Sequence, residues 1–490
     1  MSTSIRPAWS SNVIYILAAI GCAAGVGNIW RFPMMAYSYG GGAFLLALLV
    51  SNAFIIFPLM MTETVLGQEF RLSGPQAFNK IKPGSAWIGW MGVLVSLFVL
   101  VYYIPLMAWA VKYLFLAFTG DFLVDPTTYF DVHILNRSAS ISDMGGFQWS
   151  VLAALLLCYA VIMFSLRKGV HSLGNVVKWT ATLPFVLLFI LVIRGVTLPG
   201  AMTGLEALFI PDWSQLKDLE LWQAAIGQSF FSASLAFGYF MVAGSHRPKD
   251  HEIARSSLWI IIGNLMVSIL SGMAVFSTLG FMAHVSEKPI SEVAAGGPSL
   301  IFTVLPAAMA QMPFASIFFT VLLLIVFIML AIDSAFGLFE VVVGAFHDLF
   351  PKKTYKESLR NVMIFIFILS LPLMTGAGFY YLDIIDHFIG TYLIMFIGML
   401  EAFMMAYFIG PEKIRNLINK REPGKGIGKW FNIALYIIPL LLLTIIIPVF
   451  KQEFTESYED YSMFYIVVLG LIPLAIVFIG SFFLSSQTEK

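Results

Sequence analysis

Runs of predominantly apolar residues, each about 20 or more long, follow one another through almost the whole chain, and each can cross a bilayer core of about 30 Å as a helix. About twelve such spans are expected, over approximately 12–34, 42–66, 86–118, 147–166, 174–194, 221–244, 255–283, 310–346, 359–376, 385–410, 431–450 and 463–485. With 59% of its residues hydrophobic, 15% aromatic and only 11% charged, the chain falls outside the composition of soluble globular proteins. The expected fold class is all-α and integral to the membrane, in one polytopic domain over 1–490. A formal net charge of +0 leaves no basic surplus for nucleic acid and no acidic tail. Cys22 and Cys158 both lie in apolar segments, which argues against a disulfide framework. The first apolar segment is full length and lacks a small-residue cleavage site after a short core, so it is expected to stay in the mature protein.

Lys and Arg fall in alternate connections, which sets the expected orientation. One set carries Arg71, Lys80 and Lys82; Arg167, Lys168 and Lys178; Arg247, Lys249 and Arg255; Lys352, Lys353, Lys356 and Arg360; and Lys413, Arg415, Lys420, Arg421, Lys425 and Lys429. That side is expected to be cytoplasmic. The other connections are acidic or nearly uncharged, with Asp121, Asp125, Asp131 and Asp143 in one and Glu453, Glu456, Glu459 and Asp460 in another. An even number of spans then places both termini inside, in the cell (inner) membrane. The longest outer connections, 119–146 and 195–220, read as caps rather than domains. Asn136-Arg137-Ser138 matches a glycosylation acceptor, a pattern short enough to occur by chance.

Two spans are interrupted by residues that a membrane helix does not need. In Ile20-Gly-Cys-Ala-Ala-Gly-Val-Gly-Asn-Ile-Trp-Arg-Phe-Pro33, Gly21, Gly25 and Gly27 lower the cost of leaving helical geometry, and Asn28 and Arg31 are polar groups at an expensive depth. Unwound backbone there must meet protein or a wet cavity; the alternative is a glycine-lined packing face. The sixth span repeats the theme with Gln228-Ser-Phe-Phe-Ser-Ala-Ser-Leu-Ala-Phe-Gly238. Two interrupted helices in corresponding halves point to a transporter's binding site, because half-helix ends present amides to anions and carbonyls to cations; alternatively Ser232 and Ser234 bond back within the helix. Spans 1–5 and 6–10 then read as repeats of opposite topology, approximately 10–195 and 220–410, followed by two extra helices over 431–485. In the eighth span, Asp333 and Ser334 have no Lys or Arg in neighbouring turns. Such an acid binds a hard cation, is protonated, or pairs with a distant base. Asn264 and Ser268 lie one turn apart on the seventh span, as ligands or interhelical glue. Tyr102 and Tyr103 are too deep for an interfacial belt, so at least one hydroxyl needs an interior partner. The seven histidines, His133, His171, His246, His251, His284, His347 and His387, lie in loops or near span ends and read as surface residues. No nucleophile–base pair, metal-spaced His/Cys cluster or phosphate loop is present, so no enzyme activity is expected.

These motifs resemble the neurotransmitter:sodium symporter family, in its bacterial, leucine-transporter-like branch. The resemblance is carried by Gly25-Val-Gly-Asn-Ile-Trp-Arg-Phe-Pro33, Gly40-Gly-Gly-Ala-Phe44, and Ile210-Pro-Asp-Trp213 leading into Gly227-Gln-Ser-Phe-Phe-Ser232. It runs from Arg6 and Trp9 through the last span. It implies a leucine-transporter fold of inverted five-helix repeats with spans 1 and 6 broken. A first sodium site would use the Ala23 carbonyl with Asn28, Ser232 and Asn264, and in amino-acid members the substrate carboxylate completes it. A second would use carbonyls of Gly21, Ala24 and Leu330 with the side chains of Asp333 and Ser334. Substrate carboxylate would meet the amides of Val26 and Gly27 and the Tyr103 hydroxyl; its amine would meet carbonyls of Ala23, Phe231 and Ser232 and the Ser234 hydroxyl. Val99, Phe237 and Leu338 would line the side-chain pocket. Arg31 and Asp386 resemble the outer gate pair, and Arg6 and Asp348 the inner one. Gln228, Ser232, Asn264 and Ser268 match four chloride ligands, while Leu48 stands where chloride-dependent members have a tyrosine. Gly25 replaces the acid of the monoamine branch, which favours an amino acid. Ala236 replaces a common glycine, Cys22 a more polar residue, and His246 a tyrosine beside the inner gate. The resemblance thus implies a sodium-coupled symporter of a small zwitterion with an apolar or small side chain, working by alternating access. The same scaffold for another small solute, or a sensor that binds without transporting, are the alternatives.

Overall fold

Long apolar runs and few strand-like alternations leave helix as the way to pair every backbone amide, and the computed structural model, which describes residues 7–293, 297–424, 426–455, 458 and 461–489, is built accordingly. Among the described residues the only extended pairings are two isolated bridges. Helices α1 (Asn12–Ala23), α2 (Val26–Ser38), α3 (Gly42–Phe70), α4 (Ala86–Ala117), α5 (Trp149–Leu166) and α6 (Val170–Val196) make the first half. Then follow α7 (Leu219–Ser232), α8 (Tyr239–Ser245), α9 (Ala254–Ser286), α10 (Ser316–Leu349), α11 (Tyr355–Met374), α12 (Gly378–Ile409), α13 (Trp430–Pro448) and α14 (Met463–Thr488). Caps set some starts. Ser11 Oγ accepts from the Ile14 amide at 3.2 Å, and Thr354 with Glu357 forms a reciprocal capping box at α11.

Among the described residues ten helices are long and apolar enough to cross a membrane, and the bent pair α1–α2 makes an eleventh. The segment expected over 221–244 supplies α7 and α8, each too short to cross alone. Boundaries shift elsewhere. The eighth span begins at Ser316 rather than near 310, because the preceding residues form a separate short helix, Leu300–Ala310. The tenth begins at Gly378, seven residues before the expected 385. Helix α4 is buried along most of its length and forms the centre against α10, while α14 turns many apolar side chains outward, as a lipid-facing helix does.

Two of the sequence motifs meet outside the helices. The Asp212 amide donates to the Gly40 carbonyl at 3.1 Å and the Gly42 amide to that of Ile210 at 3.4 Å. Gly41 has φ +56, and a Cβ there would sit 2.4 Å from the Ala207 carbonyl oxygen, so glycine is required on both counts.

Candidate substrate and ion sites at the helix breaks

The first break is short. Helix α1 stops at Ala23, Ala24 takes φ −78, ψ 77, and α2 departs at 59° to α1. The second is longer and strained: Ser234 and Ala236 adopt φ +51 and +65, a left-handed conformation costly to any residue with a Cβ. A buried carboxylate on α3 holds that segment, since Glu63 Oε1 accepts the Ala236 amide at 3.0 Å. The two breaks touch. Ser234 Oγ donates to the Cys22 carbonyl at 3.1 Å, and Gln228 Nε2 to that of Gly27 at 3.2 Å.

Between them lies a small cavity. Ala23, Gly25, Val26 and Gly27 line it from the first break; Phe231, Ser232, Ser234 and Phe237 from the second; Val99 and Tyr103 from α4; and Leu338 from α10. Every residue expected to touch substrate is therefore on one wall or another. Cys22, Asn28 and Ser334 complete the lining. The first amides of α2 have no earlier turn to bond to, so they carry the positive end of the helix dipole into this space. Val26 N donates to Tyr103 Oη at 3.2 Å. A Cβ at Gly25 would lie 2.4 Å from Ser334 Oγ and 3.0 Å from Tyr103 Oη, so an acid is excluded there in this arrangement.

Beside the cavity, buried oxygens converge. Asn28 Oδ1 accepts the Gly25 amide at 3.1 Å, and its Nδ2 donates to Asn264 Oδ1 and to Ser268 Oγ, both at 2.8 Å. Asn264 Nδ2 donates to Ser232 Oγ at 2.7 Å. Of the residues expected at the first sodium site and at the chloride site, Asn28, Ser232, Asn264 and Ser268 thus form one network across α2, α7 and α9, while Gln228 bonds the Gly27 carbonyl instead. Leu48 is buried nearby, and Asn52, one turn on, donates to the Leu48 carbonyl and to Ser229 Oγ at 2.9 and 3.1 Å.

On the other side of α1, Asp333 is 4% exposed and its Oδ1 has no hydrogen-bond partner among the described residues. A Cβ at Gly21 would fall 2.6 Å from Asp333 Oδ2, so the missing side chain is what lets the carboxylate approach the end of α1. Ser334 Oγ donates to the Cys22 carbonyl at 2.9 Å. Leu330 lies one turn earlier on α10, and Ala24 in the break itself.

Tyr102 Oη donates to Asp386 Oδ1 at 2.5 Å, and the Arg31 guanidinium stacks 5.1 Å from the Phe231 ring centroid. Both expected outer-gate residues therefore lie beside Tyr102. At the far end of α1, Trp9 Nε1 donates to the Ala243 carbonyl at 3.0 Å, the Trp9 amide to that of His246 at 3.1 Å, and His246 Nδ1 meets the Pro7 carbonyl at 2.7 Å. Asp348 Oδ2 accepts the Ser73 amide at 3.0 Å. Arg6, its expected partner, lies outside the described residues, as do Lys425, Glu456, Glu459 and Asp460.

Sequence reasoning passed over Glu63, Glu340 and Glu401, although each is an acid within an apolar run, the signal that singled out Asp333. Thr180, whose hydroxyl approaches Asp333 from α6, carried no such signal. No group of three or more His, Cys, Asp or Glu able to hold a metal occurs among the described residues.

The description "sodium:neurotransmitter symporter family" belongs to the family model that matches residues 6–124 and 121–487. The chain is 35% identical over 97% of both chains to an uncharacterized sodium-dependent transporter of Methanocaldococcus jannaschii. It is 32% identical to the sodium- and chloride-dependent GABA transporter 2 of Bos taurus, over 85% of this chain and 76% of that one. It is 31% identical to the sodium- and chloride-dependent taurine transporter of Canis lupus familiaris, over 84% of this chain and 72% of that one. With two broken helices around one buried cavity and a match over nearly its whole length, the chain belongs to the sodium:neurotransmitter symporter family.

Proposed function

We propose that this multi-span membrane transporter is a sodium-coupled symporter of a small zwitterionic amino acid. The observation that carries the reading is the juxtaposition of the α2 amide end with the Asn28–Ser232–Asn264 oxygens at one cavity. Amides attract a carboxylate and the oxygens a small hard cation, so substrate and sodium share a shell and each raises the other's affinity, by about 1–3 kcal/mol in typical coupled sites. Tyr103, hydrogen-bonded to Val26 N, orients the carboxylate; Ser234 and the carbonyls of Ala23, Phe231 and Ser232 receive the amine. Gly21, Ala24, Leu330, Asp333 and Ser334 take the second sodium. GABA and taurine, named for two relatives, are themselves small zwitterions, which supports a substrate of that class.

Alternating access then works by swinging the half-helices around a fixed site, with Arg31 and Asp386 over one entrance and Arg6 and Asp348 over the other. Each break opens one of two inverted repeats, approximately 10–195 and 220–410, and the 431–485 pair is additional. Both termini face the cytoplasm. Chloride at Gln228, Ser232, Asn264 and Ser268 would offset the charge of two sodium ions beside one zwitterion. The relatives' chloride dependence supports this; Leu48, which donates nothing, makes the dependence partial.

The test is thermal stabilisation of the purified protein across an amino-acid panel, followed by uptake into proteoliposomes with an imposed sodium gradient. A ligand that stabilises only in sodium and accumulates only down a sodium gradient is expected. Equal binding in potassium and sodium overturns the coupling.

A further inference from the structure

The start of α1 meets a platform that the packing of α3 against α8 makes rigid. A Cβ at Gly67 would fall 2.1 Å from the Met241 carbonyl oxygen and one at Gly244 2.6 Å from that of Thr64, so these two helices touch backbone to backbone. The connection that leaves α8 is tied to α3 as well: Gln68 Nε2 donates to the Pro248 carbonyl, and Arg71 Nη2 to that of Arg247 at 3.2 Å. Toward α1 the same connection reaches with a side chain.

That side chain is Arg247. It is 0% exposed, although arginine is almost never fully buried unless paired. Its guanidinium carbon stands 4.1 Å from the Tyr15 ring centroid and Nη2 donates to Asn12 Oδ1 at 2.7 Å, so two residues one turn apart on α1 hold it. Nη2 also donates to the Glu252 carbonyl at 2.6 Å and to Ser256 Oγ at 3.1 Å, which joins α1 to the start of α9. Every acceptor is neutral. Glu252 turns its carboxylate to Arg255 at 3.8 Å, and no ion pair to Arg247 occurs among the described residues. Nε and Nη1 have no hydrogen-bond partner there either.

A cation buried in this way is held in balance. Taking a guanidinium out of water is costly, and only an opposite charge or a full set of acceptors offsets that cost. The Asn12 and Tyr15 contacts exist only while α1 is in place, and the two unmade donors gain water once it leaves. The contact therefore holds α1, and its own unmet donors favour release.

We propose that Arg247 is a positioning residue of the inner gate, separate from the Arg6 and Asp348 pair. From the α3–α8 platform it latches the start of α1 in the closed arrangement, and its release lets α1 swing and open the substrate cavity to that face. The inference rests on the alternating access proposed above.

Cys22 reports the swing: it lies on α1, lines the substrate cavity and is 2% exposed, and Cys158→Ser leaves it the only thiol. The experiment uses the full-length Cys158→Ser protein in right-side-out and inside-out membrane vesicles without sodium, with a membrane-impermeant methanethiosulfonate bearing a quaternary ammonium. Arg247→Met should speed Cys22 modification at least about tenfold from the face that carries Trp9 and not from the opposite face. Asn12→Ala should act in the same direction, and the double variant should be no faster than Arg247→Met, because both changes break one contact. Arg247→Lys, which keeps a charge on the ring and loses the planar fork, should give an intermediate rate. Arg255→Met, at an arginine whose side chain is 69% exposed, should change nothing. An unchanged rate in Arg247→Met, an Asn12→Ala effect that adds to it, or modification that rises equally from both faces overturns the latch. Sodium should slow the reaction where Arg247 is intact, as the proposed symport requires; one-sided acceleration by Arg247→Met with no effect of sodium supports the latch and overturns the coupling.

Discussion

Gly25→Ala isolates one side chain's worth of space in the substrate cavity. Gly25 is extended, φ −105 and ψ −164, so alanine there carries no left-handed strain and acts only through its volume. The added carbon would stand 2.4 Å from Ser334 Oγ and 3.0 Å from Tyr103 Oη, so both hydroxyls must move. In moving they give up bonds of 2.9 Å to the Cys22 carbonyl and 3.2 Å from the Val26 amide. Each such bond contributes about 0.5–1.5 kcal/mol net, so losing both costs about 1–3 kcal/mol, about 5- to 150-fold in affinity. Equilibrium binding of a radiolabelled amino acid in sodium reads the loss directly. Gly227→Ala is the control: its Cβ would meet nothing nearer than Met395 Sδ at 3.6 Å, and alanine favours helix. Gly25→Ala binding within about twofold of the unmodified protein, at unchanged melting temperature, would refute the carboxylate-end geometry.

Asp333→Ala should abolish sodium-driven accumulation, while uptake that persists assigns the carboxylate to packing. Ala236→Gly should raise the melting temperature, because relief of about 1–2 kcal/mol of left-handed strain exceeds the added freedom of the unfolded chain, about 0.4–1 kcal/mol. Ala233→Gly, at φ −78, should lower it, and the same sign for both would count against strain at the second break. Arg31→Ala should slow uptake at least about tenfold with a smaller change in equilibrium binding, as loss of a gate does; an unchanged rate removes Arg31 from the gate. Chloride-stimulated uptake should become chloride-independent in Ser268→Glu, measured against gluconate, and full activity of the unmodified protein without chloride rejects the anion site.

Some of this was open to reading before any coordinates. Apolar runs determine helices in a medium that cannot pair backbone groups, so the spans and the depth of Asn28, Arg31 and Asp333 were legible from order alone. The first break was legible in Gly21, Gly25 and Gly27 only together with Asn28 and Arg31, since the glycines alone fit a packing face equally well. The second was announced only as serines in an apolar run, and they were equally consistent with an unbroken helix. What decided it was tertiary. Positive φ at Ser234 and Ala236 persists because Glu63, from a distant helix, holds the Ala236 amide, a contact between residues that no local pattern links. Likewise Asp333 faces the end of α1 only because Gly21 on another helix leaves room, and Thr180 reaches it from a third. Sequence order by itself determines which groups lie at membrane depth, since burial in lipid is a property of each segment. Which of those groups face one another depends on how separate helices pack, since hydrogen bonds and excluded volume act across space rather than along the chain.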